Sequence, residues 1–157
     1  MQKIGPCLWF DDQAEEAADF YVSVFENSRI VHVARYLEGA PRPAGSVLTV
    51  EFVLDGETFV ALNGGPVFAF TPAVSFVVDC ATQDEVNRLW QALSDGGQEG
   101  QCGWLTDRYG VSWQIVPTVL GQMLSSNDAA AAQRAFAAML AMNRLDIAGL
   151  QSAYDGA

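Results

Sequence analysis

The feature that most constrains this chain is a change of hydrophobic period that occurs twice, in the same order. Ile4 to Phe10 reads as a buried strand, and Asp12-Gln13-Ala14-Glu15 follows as a capping box opening a helix with apolar residues at 17, 20, 21, 24 and 25. Arg29 to Leu37 reads as a strand. After a Pro/Gly-rich loop, Gly39 to Gly45, come strands at Val47 to Leu54 and Glu57 to Asn63, joined by Asp55-Gly56, a strong hairpin signal. The pattern restarts at Ala73 to Val78, with Thr82-Gln83-Asp84-Glu85 as a second capping box and a helix whose apolar positions are 86, 89, 90 and 93. One constant offset carries Ala17, Phe20, Tyr21 and Val24 onto Val86, Leu89, Trp90 and Leu93, so both helices present the same stripe. Gln98 to Thr106, a tight turn at Asp107 to Gly110, and Val111 to Val116 complete the second copy.

The expected fold class is therefore α+β, built from two βαβββ units over residues 1–66 and 71–117, with a helical C-terminal extension over residues 118–157. A unit of roughly 50–60 residues lies near the lower limit for an independent core, so the units must pair, within the chain or between chains, and the three segments are read as one structural domain. The Ala-, Met- and Leu-rich extension predicts a short helix at Thr118 to Leu124, a longer one from Ala129 to Met142 behind Ser126-Asn127-Asp128, and a last turn or two from Asp146 to Tyr154. Stripes of that composition act as packing surface, covering the sheets or a dimer contact.

Composition narrows the partners. The net charge of -11 repels phosphate backbones and anionic lipid, which excludes nucleic acid and membrane surfaces as partners. The uncharged stretches Thr58 to Val78 and Tyr109 to Asn127 are broken by Gly, Pro and polar residues and fail as membrane spans. Met1-Gln2-Lys3-Ile4-Gly5-Pro6 carries no long apolar leader region, and Cys7, Cys80 and Cys102 are an odd number without C-x-x-C pairing. Both features predict a reduced, cytoplasmic protein. The only histidine, His32, falls in a β-branched run and reads as a solvent-facing strand residue.

A βαβββ repeat with these motifs resembles the vicinal oxygen chelate superfamily, the group of glyoxalase I, bleomycin-resistance proteins and extradiol dioxygenases. More closely it resembles the PhnB-like branch, whose members often carry the label 3-demethylubiquinone-9 3-methyltransferase. The resemblance is carried by Cys7-Leu8-Trp9-Phe10-Asp11 with Ala17 to Phe25, Leu62-Asn63-Gly64-Gly65-Pro66, Ser75-Phe76-Val77-Val78 and the long run Cys102 to Pro117, and it is read over essentially the whole chain, the Ala-rich tail included. It implies that each sheet is covered by its helix on one face and opens a cleft on the other. Strand alternation then sends Leu8, Phe10, Trp113 and Ile115 toward the helices. The same alternation is expected to turn Gly5, Cys7, Trp9, Phe59, Ala61, Asn63, Ala73, Ser75, Val77, Cys102, Trp104, Ser112, Gln114 and Val116 into the cleft.

Metal-dependent relatives place His, Gln or Glu ligands at positions that fall here on Gly5, Ala61, Ala73 and Gln114, of which only Gln114 can coordinate. No metal is expected. The methyltransferase label implies S-adenosylmethionine at a Gly-rich strand-to-helix turn, yet Asp11-Asp12-Gln13 and Cys80-Ala81-Thr82 contain no glycine, so no cofactor is expected either. The expected ligand-binding residues are Cys7, Trp9, Phe59, Asn63, Ser75, Cys102, Trp104, Ser112 and Gln114: aromatic walls with a few orienting polar groups. Cys102 reads as a structural thiol, and Asp107 as a cap for its own turn. The leading expectation is a homodimer with a metal-free small-molecule cleft and no assigned reaction. A sequestration module without catalysis, in the manner of bleomycin-resistance proteins, is the alternative, and a purely structural or interaction protein comes third.

Overall fold

A computed structural model describes residues 3–157. Met1 and Gln2, part of the segment read as lacking a leader, lie outside the described residues. The chain divides into two compact units, one ending at Phe70 and the other running Thr71–Ala157.

The first unit contains β1 (Cys7–Phe10), α1 (Ala14–Val24), β2 (Arg29–Arg35), β3 (Val47–Leu54) and β4 (Glu57–Asn63), in a four-stranded sheet of order β1-β4-β3-β2. The first and last strands pair in parallel, Leu8 beside Ala61 and Phe10 beside Asn63, and the other pairings are antiparallel. Asp55 and Gly56 both have positive φ, 45° and 89°, the conformation of the two-residue hairpin expected at this dipeptide. Ala14, Ala17, Ala18, Tyr21 and Val24 of α1 are buried against the sheet. Three of those five are alanines, which lets the helix lie close to the strands.

The start of α1 departs from the expected capping box. Its N-cap is Gln13, whose side chain makes no capping bond. Instead Asn63, at the end of β4, accepts a hydrogen bond from the Ala14 backbone N–H at 2.8 Å through Oδ1 and donates to the Val47 carbonyl at 3.1 Å through Nδ2. Its own carbonyl accepts from the Tyr36 hydroxyl at 2.7 Å. A distant residue does the work of the local cap, because the parallel β1–β4 pairing brings the end of β4 beside the start of the helix.

The second unit repeats the topology with β5 (Phe76–Cys80), α2 (Gln83–Ser94), β6 (Gln98–Glu99), β7 (Trp104–Thr106) and β8 (Ser112–Pro117), in the order β5-β8-β7-β6. Here the capping box forms: Thr82 Oγ1 accepts from the Glu85 N–H at 3.2 Å, and the Glu85 carboxylate reaches back to the Ala81 N–H at 2.8 Å. Val86, Leu89, Trp90 and Leu93 are buried, the four positions of the helical stripe. Two boundaries differ from expectation. The first strand begins at Phe76, so Ala73 and Ser75 precede it, and Gln98 to Thr106 is a small hairpin whose turn carries Cys102 and Gly103 at positive φ, 59° and 84°.

The extension forms α3 (Thr118–Leu124), α4 (Ala129–Leu140) and α5 (Ile147–Asp155), around a small core of Leu120, Met123, Ala135, Leu145 and Leu150. It is fastened to the second unit by polar bonds. Gln83 donates to the Leu145 carbonyl at 3.1 Å and accepts from the Ile147 N–H at 2.7 Å, and the Cys102 and Gly103 N–H groups donate to the carbonyls of Met142 and Asn143. Val116, at the end of β8, packs against this core.

Asn63→Ala removes the cap of α1 and leaves the Val47 carbonyl without its partner, an expected loss of about 2–3 kcal/mol in unfolding free energy. Asn63→Asp keeps the acceptor for the Ala14 N–H but sets a buried carboxylate oxygen against the Val47 carbonyl, and is expected to lose at least as much at neutral pH. Urea denaturation of the two variants checks the order.

Candidate functional site

In the first sheet, register decides which side chains face away from the helix. Phe52 stacks on Tyr21 of α1, with centroids 6.3 Å apart, and Phe59 stacks on Phe52 at 5.4 Å. Phe59, Ala61 and Asn63 therefore lie on the helix side with Leu8 and Phe10, which corrects the expectation that they line a cleft. The other face of β4 carries Thr58, Val60 and Leu62. Both alternating sets of this strand are mostly apolar, so periodicity alone did not give its sign; the pairing of Phe52 with Phe59 across the hairpin does.

The two remaining first-unit candidates stay on the open face. Cys7 is exposed on the edge strand. Trp9 is half-buried and already engaged: its Nε1 donates to the Gly65 carbonyl at 2.8 Å and its ring meets Phe68 edge-on at 5.0 Å. A Cβ on Gly64 would overlap the Trp9 indole, so glycine is required where the chain crosses the ring. Trp9 thus anchors the segment after β4.

The second sheet keeps its expected faces. Phe76, Leu105, Trp113 and Ile115 lie on the helix side, while Ser112 pairs with Thr106 and Gln114 with Trp104 on the open side. Gln114 Nε2 donates to Ser75 Oγ at 2.9 Å, which brings two of the expected residues together. Cys102 does not join them. It occupies the hairpin turn and is tied by its backbone to Met142, because the left-handed turn removes it from strand alternation.

A pocket of about 220 Å³ opens on this sheet, lined by Pro72, Gln98, Glu99, Gly100, Trp104, Leu105, Thr106 and Ser112. Ser112 is 2% exposed, and its hydroxyl is buried without a hydrogen-bond partner. Sequence parity pointed to Trp104 and Ser112; Gln98, Thr106 and Pro72 were missed, since only the hairpin brings β6 and the residues before β5 to the same place. Glu99 touches the pocket, but its carboxylate accepts from Trp90 Nε1 of α2 at 2.9 Å, and it pairs with Leu105, whose side chain is on the helix side. Asp107 is structural as expected: its carboxylate accepts from the Tyr109 and Val111 N–H groups and from Trp113 Nε1 at 2.8–3.0 Å.

The residues present do not fit a chelated metal. Of the four positions at which the resemblance places ligands only Gln114 carries a ligand atom, and its Nε2 is bonded to Ser75; Ala61 is buried under the helix and its neighbours Val60 and Leu62 have no ligand atoms. Among the described residues no group of three or more His, Cys, Asp or Glu could hold an ion. Nor do they fit S-adenosylmethionine, since the start of α1 is taken by Asn63 and that of α2 by Thr82, with no glycine loop at either. Among the described residues no helix is long and apolar enough to cross a membrane.

Burial, with Glu85 and Asp79 nearby, pushes the Cys80 thiol up to about 12, and partial burial raises Cys7. Thiolate, the reactive form, is therefore scarce at both sites at neutral pH. In native protein at pH 8, iodoacetamide is expected to modify exposed Cys7 slowly and Cys80 not at all, which peptide mass mapping would read.

The model of the family described as 3-demethylubiquinone-9 3-methyltransferase matches residues 2–116. No curated protein matches. A solved structure of the Bacillus cereus PhnB protein, whose name carries the same methyltransferase description, is 37% identical over 74% of this chain and all of that one, with a TM-score of 0.69. A Pseudomonas aeruginosa protein is 21% identical over 74% of this chain and 98% of its own, TM-score 0.62. The fosfomycin resistance protein FosX from Listeria monocytogenes shares the fold at 11% identity and TM-score 0.53, over 78% of this chain and 97% of its own. The family match stops at Val116, so the Ala-rich extension lies outside it, contrary to the reading of the resemblance as running through the tail. This chain belongs to the 3-demethylubiquinone-9 3-methyltransferase family, in which the PhnB protein is its relative.

Proposed function

We propose that this protein binds a small molecule, without metal or cofactor, in the pocket on the open face of its second sheet. The observation that carries this reading is the Ser112 hydroxyl, buried at the pocket with no partner. A buried hydroxyl left unpaired costs roughly 1–3 kcal/mol, a cost that a ligand hydrogen bond offsets and an empty pocket does not. Sequestration without catalysis is favoured over turnover, because Gln98, Thr106, Ser112 and Trp104 offer no general base or activated nucleophile. Ser75 and Gln114 extend the ligand surface; Cys7 and Trp9 belong to the first unit's open face and are not needed for it.

The reading includes a homodimer in the cytoplasm. Exposed Val67 and Phe68 in one unit, and Val74 and Val77 in the other, support self-association, as do the places of β1 and β5 at the ends of their sheets. The three unpaired thiols support a reducing location.

Three measurements test this. In a fragment screen followed by amide and indole NMR, bound compounds are expected to shift Trp104, Thr106 and Ser112; a screen in which no compound moves them overturns the pocket. Ser112→Ala is expected to raise the unfolding free energy by about 1 kcal/mol while weakening every pocket ligand, since it deletes an unpaired polar group. Native mass spectrometry of the same samples is expected to give twice the chain mass, and a stoichiometric metal would sink the metal-free reading.

A further inference from the structure

We infer that the pocket selects an uncharged ligand: a single flat apolar body carrying a hydroxyl, carbonyl or amide group. This deepens the proposed function and rests on it. The sheet register places Gln98 opposite Thr106 and Thr106 opposite Ser112, so an amide and two hydroxyls form one row across β6, β7 and β8 on the open face. With strands about 4.8 Å apart, the row spans roughly 10 Å, the length of one ring with its substituents. Each of the three groups both donates and accepts, which matches a neutral polar group in either orientation. Pro72 and Trp104 supply apolar walls.

Among the described residues that line the pocket, no ionic side chain faces the ligand. Glu99 is the one charged residue of the lining, and its carboxylate is turned to the helix side and held by Trp90. An ion entering the pocket would give up hydration with no counter-charge in return. The net charge of -11 adds long-range repulsion for anions. The volume of about 220 Å³ is below the roughly 300–1,000 Å³ of drug-sized sites, which limits the ligand to about one ring.

Benzamide, benzoate and benzamidinium have nearly the same shape and differ in charge, so they test whether the pocket selects neutral ligands. Titrated into the full-length protein at pH 7, benzamide is expected to shift the Trp104 indole and the Thr106 and Ser112 amides, and to bind at least about 10-fold more tightly than either ion. Ser112→Ala is expected to weaken benzamide roughly 5- to 10-fold, and Thr106→Val to do the same by a different deletion. Benzoate or benzamidinium binding at these residues as tightly as benzamide overturns the selection for neutral ligands but leaves the pocket standing. If none of the three probes, nor any uncharged fragment, perturbs these residues, the pocket reading itself falls, and this inference with it.

Discussion

The parallel pairing of the first and last strand of each unit is the constraint on which the rest depends. β1 lies beside β4 and β5 beside β8. A parallel neighbour cannot be reached by a tight turn, so the chain must cross over through a helix, and that helix covers one face of the sheet. Everything that faces α1 or α2 becomes core, and everything on the other side is left for ligand, partner or solvent. The same pairing brings Asn63 to the start of α1, so strand register and helix cap are one interaction seen from two elements.

Equivalent topology does not give equivalent open faces. In the first unit the polar handle of the main aromatic is spent on structure, with the Trp9 indole bonded to Gly65 and Phe68 against the ring. In the second unit the corresponding surface holds the orphan hydroxyl of Ser112 beside a pocket. The extension sharpens this difference. Its core takes up Val116 near one end of β8, while Ser112 lies at the other end of the strand. Forty residues outside the family match have thus settled on the unit that carries the pocket, fastened through Gln83 and the turn at Cys102-Gly103.

The family and its chemistry stand apart here. The match over residues 2–116 and the PhnB relative assign the chain to a group named for a methyl transfer. The fold, however, is one shared with the fosfomycin resistance protein FosX, and the positions at which the resemblance would place metal ligands hold Gly5, Ala61, Ala73 and a Gln114 bonded to Ser75. What is left on the open face of the second sheet is a set of neutral hydrogen-bonding groups beside Trp104.

Much of this was legible in the residues. The repeat, the Asp55-Gly56 hairpin, the stripe of α2 and the turn role of Asp107 follow from local chemistry, because period, caps and turn conformations are decided within a few residues. Three things were not. Phe59, Ala61 and Asn63 changed face, the cap of α1 came from a residue far along the chain, and Gln98 to Thr106 folded back as a hairpin. Each depends on which strands become neighbours, and alternation states that successive side chains oppose one another without saying which side the helix will cover. By itself the sequence determined the two βαβββ units and the hairpin and helix stripe within them, since period and turn chemistry are local. Only the tertiary structure decided which alternating set is core and which hydroxyl is left unpaired, because both are set by long-range pairing and burial.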